Sequence, residues 1–265
     1  MAQISVLGCG WLGFPLAKAL LQQGFKVKGS TTSVDKLESL RGAGIDSYLI
    51  NLDTDVAEQA TADFLRESEI LIINIPPKTH LGDTSYAGKL EKLLPYIQQA
   101  EIKKVLFVSA TSVYADNDGI ATEDDIPNPD TSGGKELLKA EQVFTNQADF
   151  KTTVLRFSGL MGEERHPIKF LAGRENIANP DAPVNLIHLE DCIGIILKII
   201  GKESWGEIYN GSAPSNPSRE SYYTQKAIEY NLPAPKFNNE VPSVGKTISS
   251  KKVTDVLEYT FIVDL

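Results

Sequence analysis

Ile4-Ser5-Val6-Leu7-Gly8-Cys9-Gly10-Trp11-Leu12-Gly13 is a short apolar run that ends in Gly-x-Gly-x-x-Gly, and a helical pattern begins at once. Leu12, Leu16 and Leu20 recur at helix spacing, with Ala17 and Leu21 on neighbouring turns. A strand, a tight turn and a helix in this order hold the two phosphates of a dinucleotide. Gly8 permits the turn, Gly10 lets the backbone approach the pyrophosphate, and Gly13 lets the helix pack close to the strand. Trp11 and Leu12 complete the cofactor-binding turn. The free N–H groups at the helix start carry roughly half a positive charge and face the anion. The alternative is a plain glycine-rich turn between a strand and a helix.

Apolar runs alternate with helical patterns through the first 160 residues. The strands expected are 4–7, 26–30, 47–51, 70–75, 105–109 and 152–157, with helices at about 13–23, 33–42, 57–66, 85–100 and 134–147. Such alternation means βαβ units and a parallel sheet with helices on both faces. The expected class is α/β, a Rossmann-type doubly wound parallel sheet. Beyond residue 160 the segments shorten and Pro and Asn become frequent. A strand at 184–189 and helices at 190–200 and 218–231, the last capped by Ser218, remain legible. The expectation is a Rossmann domain over 1–160 and a small C-terminal substrate lobe over 161–265, packed on the same domain. Ligands of such sheets sit outside the carboxyl ends of the strands, so this lobe walls the substrate side.

A chain of 265 residues buries roughly 70–75% of its unfolded surface and needs no staples. Its net charge of −9 and pI near 5.0 argue against nucleic acid as the main partner. The two cysteines, Cys9 and Cys192, make no disulfide framework, and Cys9 reads as a small filler rather than a redox thiol. The first apolar run is a strand and not a signal segment. No apolar stretch is long enough to span a membrane. These features predict a cytoplasmic protein and leave open whether it is a monomer or a homodimer. The three histidines, at 80, 166 and 188, show no ligand spacing, so no metal is expected. Neither a Gly-x-Ser-x-Gly elbow nor a Walker-type loop occurs.

The residue ending the second strand judges the adenosine ribose: an acid there favours NAD, and cations or hydroxyls admit the 2′-phosphate of NADP. Here that stretch is Lys28-Gly29-Ser30-Thr31-Thr32-Ser33, with Lys36 one turn on and no carboxylate before Asp35. Thr31, Thr32 and Ser33 therefore favour NADP over NAD. Alternatively, Ser33 only caps the second helix. Asp53, after the third strand, is placed to accept from the adenine amino group or else to form a turn. Asn74-Ile75-Pro76-Pro77 forces an extended exit from the fourth strand. That exit lays Asn74 and Pro76 along the nicotinamide ribose, or simply stops the strand.

Val105-Leu106-Phe107-Val108-Ser109-Ala110-Thr111-Ser112-Val113-Tyr114 resembles the fifth strand of the extended short-chain dehydrogenases/reductases, the nucleotide-sugar epimerase and dehydratase group. Lys135 follows about twenty residues later at a helix start. Leu155-Arg156-Phe157-Ser158-Gly159-Leu160-Met161-Gly162 resembles that group's sixth strand and loop. Asn185-Leu186-Ile187-His188-Leu189-Glu190-Asp191 resembles its later strand-to-helix signature. These ordered motifs span most of the chain, and the best fit is an atypical, shortened, NAD(P)-binding epimerase/dehydratase-like branch. The resemblance implies an oxidoreductase or epimerase-like activity on a small molecule.

The departures from that pattern fall on the catalytic groups. The family's first glycine falls on Leu7. Its catalytic Ser or Thr position is Ala110, with Thr111 beside it, and its catalytic Tyr position is Thr131, four residues before Lys135. The family's phenol moves the substrate proton with the lysine lowering its pKa, and a threonine hydroxyl cannot be that anion near neutral pH. Loss of a general acid/base costs about 10²–10⁴ in rate. Lys135 keeps a binding role toward the nicotinamide ribose. Thr111, Ser112, Tyr114, Ser132 and His166 are the groups that could take over, and Thr111, Tyr114 and Lys135 form the candidate catalytic set. For Tyr114 the alternative is a packed ring with a hydrogen-bonded hydroxyl. For His166, which titrates in the useful range, it is a surface or turn role.

Arg165, His166, Lys169 and Arg174, with Arg156 nearby, crowd cations into an otherwise acidic chain. Such a cluster recognises a phosphate or carboxylate, or is a solvated basic face. The family's arginine before the Ile-His pair is absent at Val184-Asn185, which weakens the case for a nucleotide-sugar diphosphate. His188 and Asp191 read as structural. Three functions follow: an NAD(P)-dependent enzyme with a rewired acid/base, a catalytically silent NADP(H)-binding sensor or interaction module, and a β-hydroxyacid dehydrogenase-like enzyme. The last places an all-helical domain after the first sheet, which the strand-containing tail opposes.

Overall fold

The computed structural model describes residues 2–53, 58–77 and 85–265. In chain order its elements are β1 (Gln3–Leu7), α1 (Gly13–Gln22), β2 (Lys26–Thr31), α2 (Asp35–Gly42), β3 (Asp46–Leu49), α3 (Glu58–Leu65), β4 (Ile70–Ile73), α4 (Tyr86–Glu91), α5 (Leu94–Gln99) and β5 (Lys104–Ala110). After a short 3₁₀ turn (Thr111–Val113) come β6 (Ile120–Ala121), α6 (Ser132–Thr145), β7 (Lys151–Phe157), β8 (Gly159–Met161), α7 (Ile168–Leu171), β9 (Leu186–His188), α8 (Leu189–Gly201), β10 (Ile208–Gly211), α9 (Arg219–Glu229), β11 (Thr247–Ile248) and α10 (Lys251–Leu257).

Seven strands form one sheet in the order β10-β7-β5-β4-β1-β2-β3. β1 pairs in parallel with β2 and β4, β2 with β3, and β4 with β5. The fold is α/β, of the Rossmann type. Strands covered on both faces read as continuous apolar runs, and β4, Ile70-Leu71-Ile72-Ile73, is buried throughout. Ser5, inside β1, is tolerated because its hydroxyl donates to the Phe64 carbonyl at 2.6 Å.

The chain divides into two compact units. The first comprises Met1–Ser109, Thr131–Leu155 and Ile196–Ile208; the second comprises Ala110–Asp130, Arg156–Ile195 and Tyr209–Leu265. The sequence suggests a single boundary at 160, whereas the units interleave along the chain. The first unit holds β1–β5 and α1–α6. In the second unit β8 pairs with β9 and β11 with β6. Its core includes Met161, Ile168, Leu186, Tyr222 and Tyr223.

Several boundaries differ from the sequence expectation. The helix expected at 85–100 is two helices, because Pro95 in the first turn of α5 has no N–H and crowds the turn before it. The strand expected at 70–75 ends at Ile73, where Asn74 turns its side chain onto the Gly8 carbonyl. The strand expected at 184–189 shortens to β9, since Leu189 already opens α8. The helix expected from 57 begins at Glu58, and residue 57 lies outside the described residues.

Candidate functional site

The first turn is built by hydrogen bonds from its neighbours. Gly8, at φ +100°, donates its N–H to Ser30 Oγ at 2.9 Å and accepts from Asn74 Nδ2 at 3.1 Å. Cys9 donates its N–H to the Ser30 carbonyl at 2.8 Å. A methyl group on Gly8 would overlap the Asn74 carbonyl, and one on Gly13 would overlap the Gly8 carbonyl. The fold itself therefore requires both glycines. Gly10 differs: a methyl there meets nothing within 4 Å, and its position opens into the adjoining crevice. α1 begins behind Leu12 with no side-chain cap. The Phe14 N–H is committed to the Gly10 carbonyl at 3.0 Å and Pro15 has none, so an anion is met by the amides of the turn that leads into the helix. This cradle fits a dinucleotide diphosphate. The Cys9 thiol is buried within it, and burial pushes its pKa up to about 12.

The crevice, about 680 Å³, lies in the first unit. Of the residues expected at the cofactor, it is lined by Gly8, Gly10, Thr31, Thr32, Asp53 and Asn74, together with Pro76. Trp11, Leu12, Gly13, Ser33 and Lys135 are not in its wall. Ser33 donates its N–H to Thr31 Oγ1 at 3.1 Å, and the cap of α2 is Val34, without a side-chain bond. Lys28 turns away: its ammonium donates to the Asp63 and Arg66 carbonyls at the end of α3, and burial lowers its pKa. The lysine of that stretch facing the crevice is Lys36.

The far wall comes from α4 and α6, and of its residues the sequence singles out Ser132 but not Tyr86, Lys89 or Glu136. Tyr86 donates its hydroxyl to the Ile75 carbonyl at 2.6 Å, and burial raises its pKa above the ordinary phenol range. Its N–H donates to Glu136 Oε2 at 3.1 Å. Glu136 bonds Lys139 at 2.8 Å, which holds its carboxyl below the usual range. Thr131 caps α6 by accepting from the Gly134 N–H at 3.1 Å. Ser132 and Glu136, one helical turn apart, line the crevice, whereas Lys135 is exposed. The i, i+4 spacing of Ser132 and Glu136 was a usable sequence signal. Lys89 also lines the crevice and pairs with Asp53 at 2.6 Å.

In the second unit, Thr111 is buried in the 3₁₀ turn. Tyr114 accepts from Arg156 Nη1 at 2.7 Å and donates to Asn210 Oδ1 at 3.0 Å, and burial raises its pKa. His166 is 4% exposed, stacks on Tyr222 and Tyr230, and accepts from the Ile168 N–H through Nδ1 at 3.2 Å. Its Nε2 therefore carries the proton toward Tyr222 Oη, 3.0 Å away. Burial, then Lys226 and Lys169, lower its pKa to about 4. Arg165, Lys169 and Arg174 are exposed, and Lys169 donates to the Glu164 carbonyl at 3.1 Å. Buried Asp191 accepts from Tyr259 Oη at 2.8 Å and from the Ile262 N–H at 2.7 Å. Among the described residues no group of three potential metal ligands occurs, and no helix is long and apolar enough to cross a membrane. His80 lies outside them.

Residues 3–124 match the NAD-binding domain of 6-phosphogluconate dehydrogenase. Beyond that span the chain continues with strands as well as helices, not with an all-helical domain. Over its full length it is similar to a functionally unknown conserved protein from Silicibacter pomeroyi DSS, with a TM-score of 0.82 and 20% identity, covering 100% of this chain and 95% of that one. A UDP-glucuronic acid 4-epimerase from Bacillus cereus in complex with NAD aligns with a TM-score of 0.80 and 18% identity, over 99% and 92% of the two chains. The chain thus shares its fold with solved structures of an NAD-dependent epimerase and of a short-chain dehydrogenase/reductase superfamily protein, and its first part matches an NAD-binding Rossmann domain. In sequence, Protein YeeZ of Escherichia coli (strain K12) is 35% identical over 266 residues, 98% of this chain and 96% of that protein. With that identity along nearly the whole of both chains, this chain belongs to the YeeZ family.

Proposed function

We propose that the protein is an NADP(H)-binding, atypical extended short-chain dehydrogenase/reductase, with NAD(H) the alternative cofactor. It acts as an epimerase/dehydratase-like oxidoreductase on a small anionic molecule in the cytoplasm, as a monomer or homodimer. Gly10 carries this reading: among the described residues no neighbour requires it to be glycine, and it opens into the crevice beside a helix start without a side-chain cap. Thr31, Thr32 and Lys36 line the same crevice and suit a 2′-phosphate.

When bound, the dinucleotide supplies hydride chemistry at its nicotinamide. The chain's own residues bind and orient it. The amides from Gly10 to Gly13, including Trp11 and Leu12, take the diphosphate. Thr31, Thr32 and Lys36, with Ser33 behind them, take the 2′-phosphate. Asp53 takes the adenine amino group, and Asn74, Pro76 and Lys135 the nicotinamide ribose. Arg165, Lys169 and Arg174 attract the anionic substrate. The B. cereus relative binds NAD and a sugar nucleotide is in its name; a phosphate-bearing or carboxylate-bearing substrate extends that chemistry here.

A second reading, a binding protein without turnover, is favoured by one observation. The hydroxyl at the family's tyrosine position and the one phenol of the candidate catalytic set already have partners, Thr131 as a helix cap and Tyr114 between Arg156 and Asn210. Titration calorimetry with NADPH and NADH, followed by NADPH oxidation across carbonyl and sugar substrates, separates the readings. The expected result is micromolar NADPH binding, weaker NADH binding, and turnover of an anionic substrate. Binding without any turnover favours the sensor. Flat titrations with both dinucleotides overturn the cofactor site.

A further inference from the structure

The ion pair between Lys89 and Asp53 joins two distant parts of the crevice wall. Asp53 follows β3 and Lys89 lies on α4, which follows β4. In the sheet, β1 and β2 lie between those strands. The 2.6 Å contact therefore arches over the carboxyl ends of β1 and β2, where the glycine turn and Thr31 sit. Both side chains line the crevice and keep 24% and 36% of their surface, which puts the pair at its mouth.

Both ends of the arch are held. The Asp53 N–H donates to Asn51 Oδ1 at 3.0 Å, which shapes the turn that presents the carboxylate. α4 is fixed by fully buried Leu90, by the Tyr86 hydroxyl on the Ile75 carbonyl, and by the Tyr86 N–H on Glu136. Lys89 thus projects from an anchored helix, and its ammonium engages one named oxygen of the carboxylate, Oδ1.

We propose that Lys89 is a positioning residue for base recognition: it orients the Asp53 carboxylate at the adenosine end of the crevice, so that the site selects a 6-amino purine over a 6-oxo purine. This rests on the dinucleotide reading of the same crevice. An ionised carboxylate only accepts hydrogen bonds and has about four lone-pair sites, so one carboxylate can engage an ammonium and an exocyclic amino group at the same time. A 6-oxo group in the same place sets oxygen against oxygen. A charge-assisted bond made to one base and lost to the other is worth about tenfold or more in affinity.

The test is titration of the full chain with NADPH and NADH, each beside its hypoxanthine counterpart, for wild type, Lys89→Met, Lys89→Arg and Asp53→Asn. Circular dichroism confirms that each variant is folded. The ratio of affinities is the readout, because a general loss of stability does not change it. The expected result is a wild-type adenine preference of about tenfold, lost in Asp53→Asn, reduced towards that level in Lys89→Met and restored in Lys89→Arg. A wild-type ratio in Lys89→Met, with the ratio lost in Asp53→Asn, overturns the role of Lys89 and leaves the cofactor site standing. A wild-type ratio in both overturns base recognition by Asp53 as well. No binding of any dinucleotide by wild type overturns the cofactor reading itself.

Discussion

Arg156 donates to the Tyr114 hydroxyl at 2.7 Å while its guanidinium lies 5.0 Å from the centroid of the same ring. The arginine is 2% exposed and the tyrosine 4%. A buried guanidinium is stable only where its donors are met, and this phenol meets one of them. The tyrosine oxygen accepts from Arg156 and donates to Asn210, so it is committed on both sides. Tyr114→Phe removes an acceptor from a buried cation. Urea denaturation is expected to find it less stable by about 1–3 kcal/mol.

The glycines of the first turn separate folding from binding. Gly13→Ala forces the start of α1 away from the Gly8 carbonyl, which is backbone and cannot swing aside. It is expected to lose about 1–3 kcal/mol of stability. Gly10→Ala meets no atom of the described residues within 4 Å, so its stability in urea should stay within about 0.5 kcal/mol of wild type. The same methyl stands where the diphosphate approaches, and calorimetry should find NADPH binding lost. Normal NADPH affinity in Gly10→Ala would remove the phosphate cradle from the account.

If Lys36 holds the 2′-phosphate, its loss separates the two dinucleotides. It lines the crevice beside Thr31 and Thr32 and is exposed. Lys36→Met is expected to weaken NADPH binding about 10–100-fold, the worth of a charge-assisted hydrogen bond, and to change NADH binding by less than about twofold. Equal losses for both would move Lys36 away from the 2′-phosphate.

His166 gives stability a pH dependence of predictable sign. Its folded pKa, about 4, lies below the ordinary value of 6.5 because burial and the Lys226 and Lys169 ammonium groups disfavour the imidazolium, against a smaller opposing effect of Glu229. As pH falls through 6.5 the unfolded chain takes up a proton that the folded chain refuses until about 4. Stability contributed by this group is therefore full above that window and is lost across it, on the order of 2 kcal/mol. Urea melts at pH 7 and pH 4.5 should show the loss, and His166→Phe should remove this part of it.

The βαβ alternation and the glycine turn were legible because both are written in short-range spacing: apolar runs of strand length, a helical repeat, and glycines at fixed offsets. The helices at 85–100 and 134–147 were legible too, but not the faces by which they wall the crevice. An apolar pattern across 85–100 does not reveal that Pro95 breaks it, and it hides that Tyr86 turns its hydroxyl onto Ile75. At α6 the family motif drew attention to Lys135, whereas the face that meets the crevice carries Ser132 and Glu136, which the motif leaves out although their i, i+4 spacing puts them on one face. The basic cluster at 165–174 reads as one group in sequence, yet His166 alone is drawn into the core, through stacking on tyrosines more than fifty residues away. β6 and β11, two residues each, are too short to carry any periodicity.

The interleaving of the two units constrains how this protein can be taken apart. Their junctions fall after Ser109, Asp130, Leu155, Ile195 and Ile208. A fragment ending at 160 leaves behind Ile196–Ile208, which belongs with the cofactor crevice's own unit. Neither half can be released by one proteolytic cut or transplanted by one gene fusion. Grafting a different second unit onto this cradle means splicing at every one of those junctions.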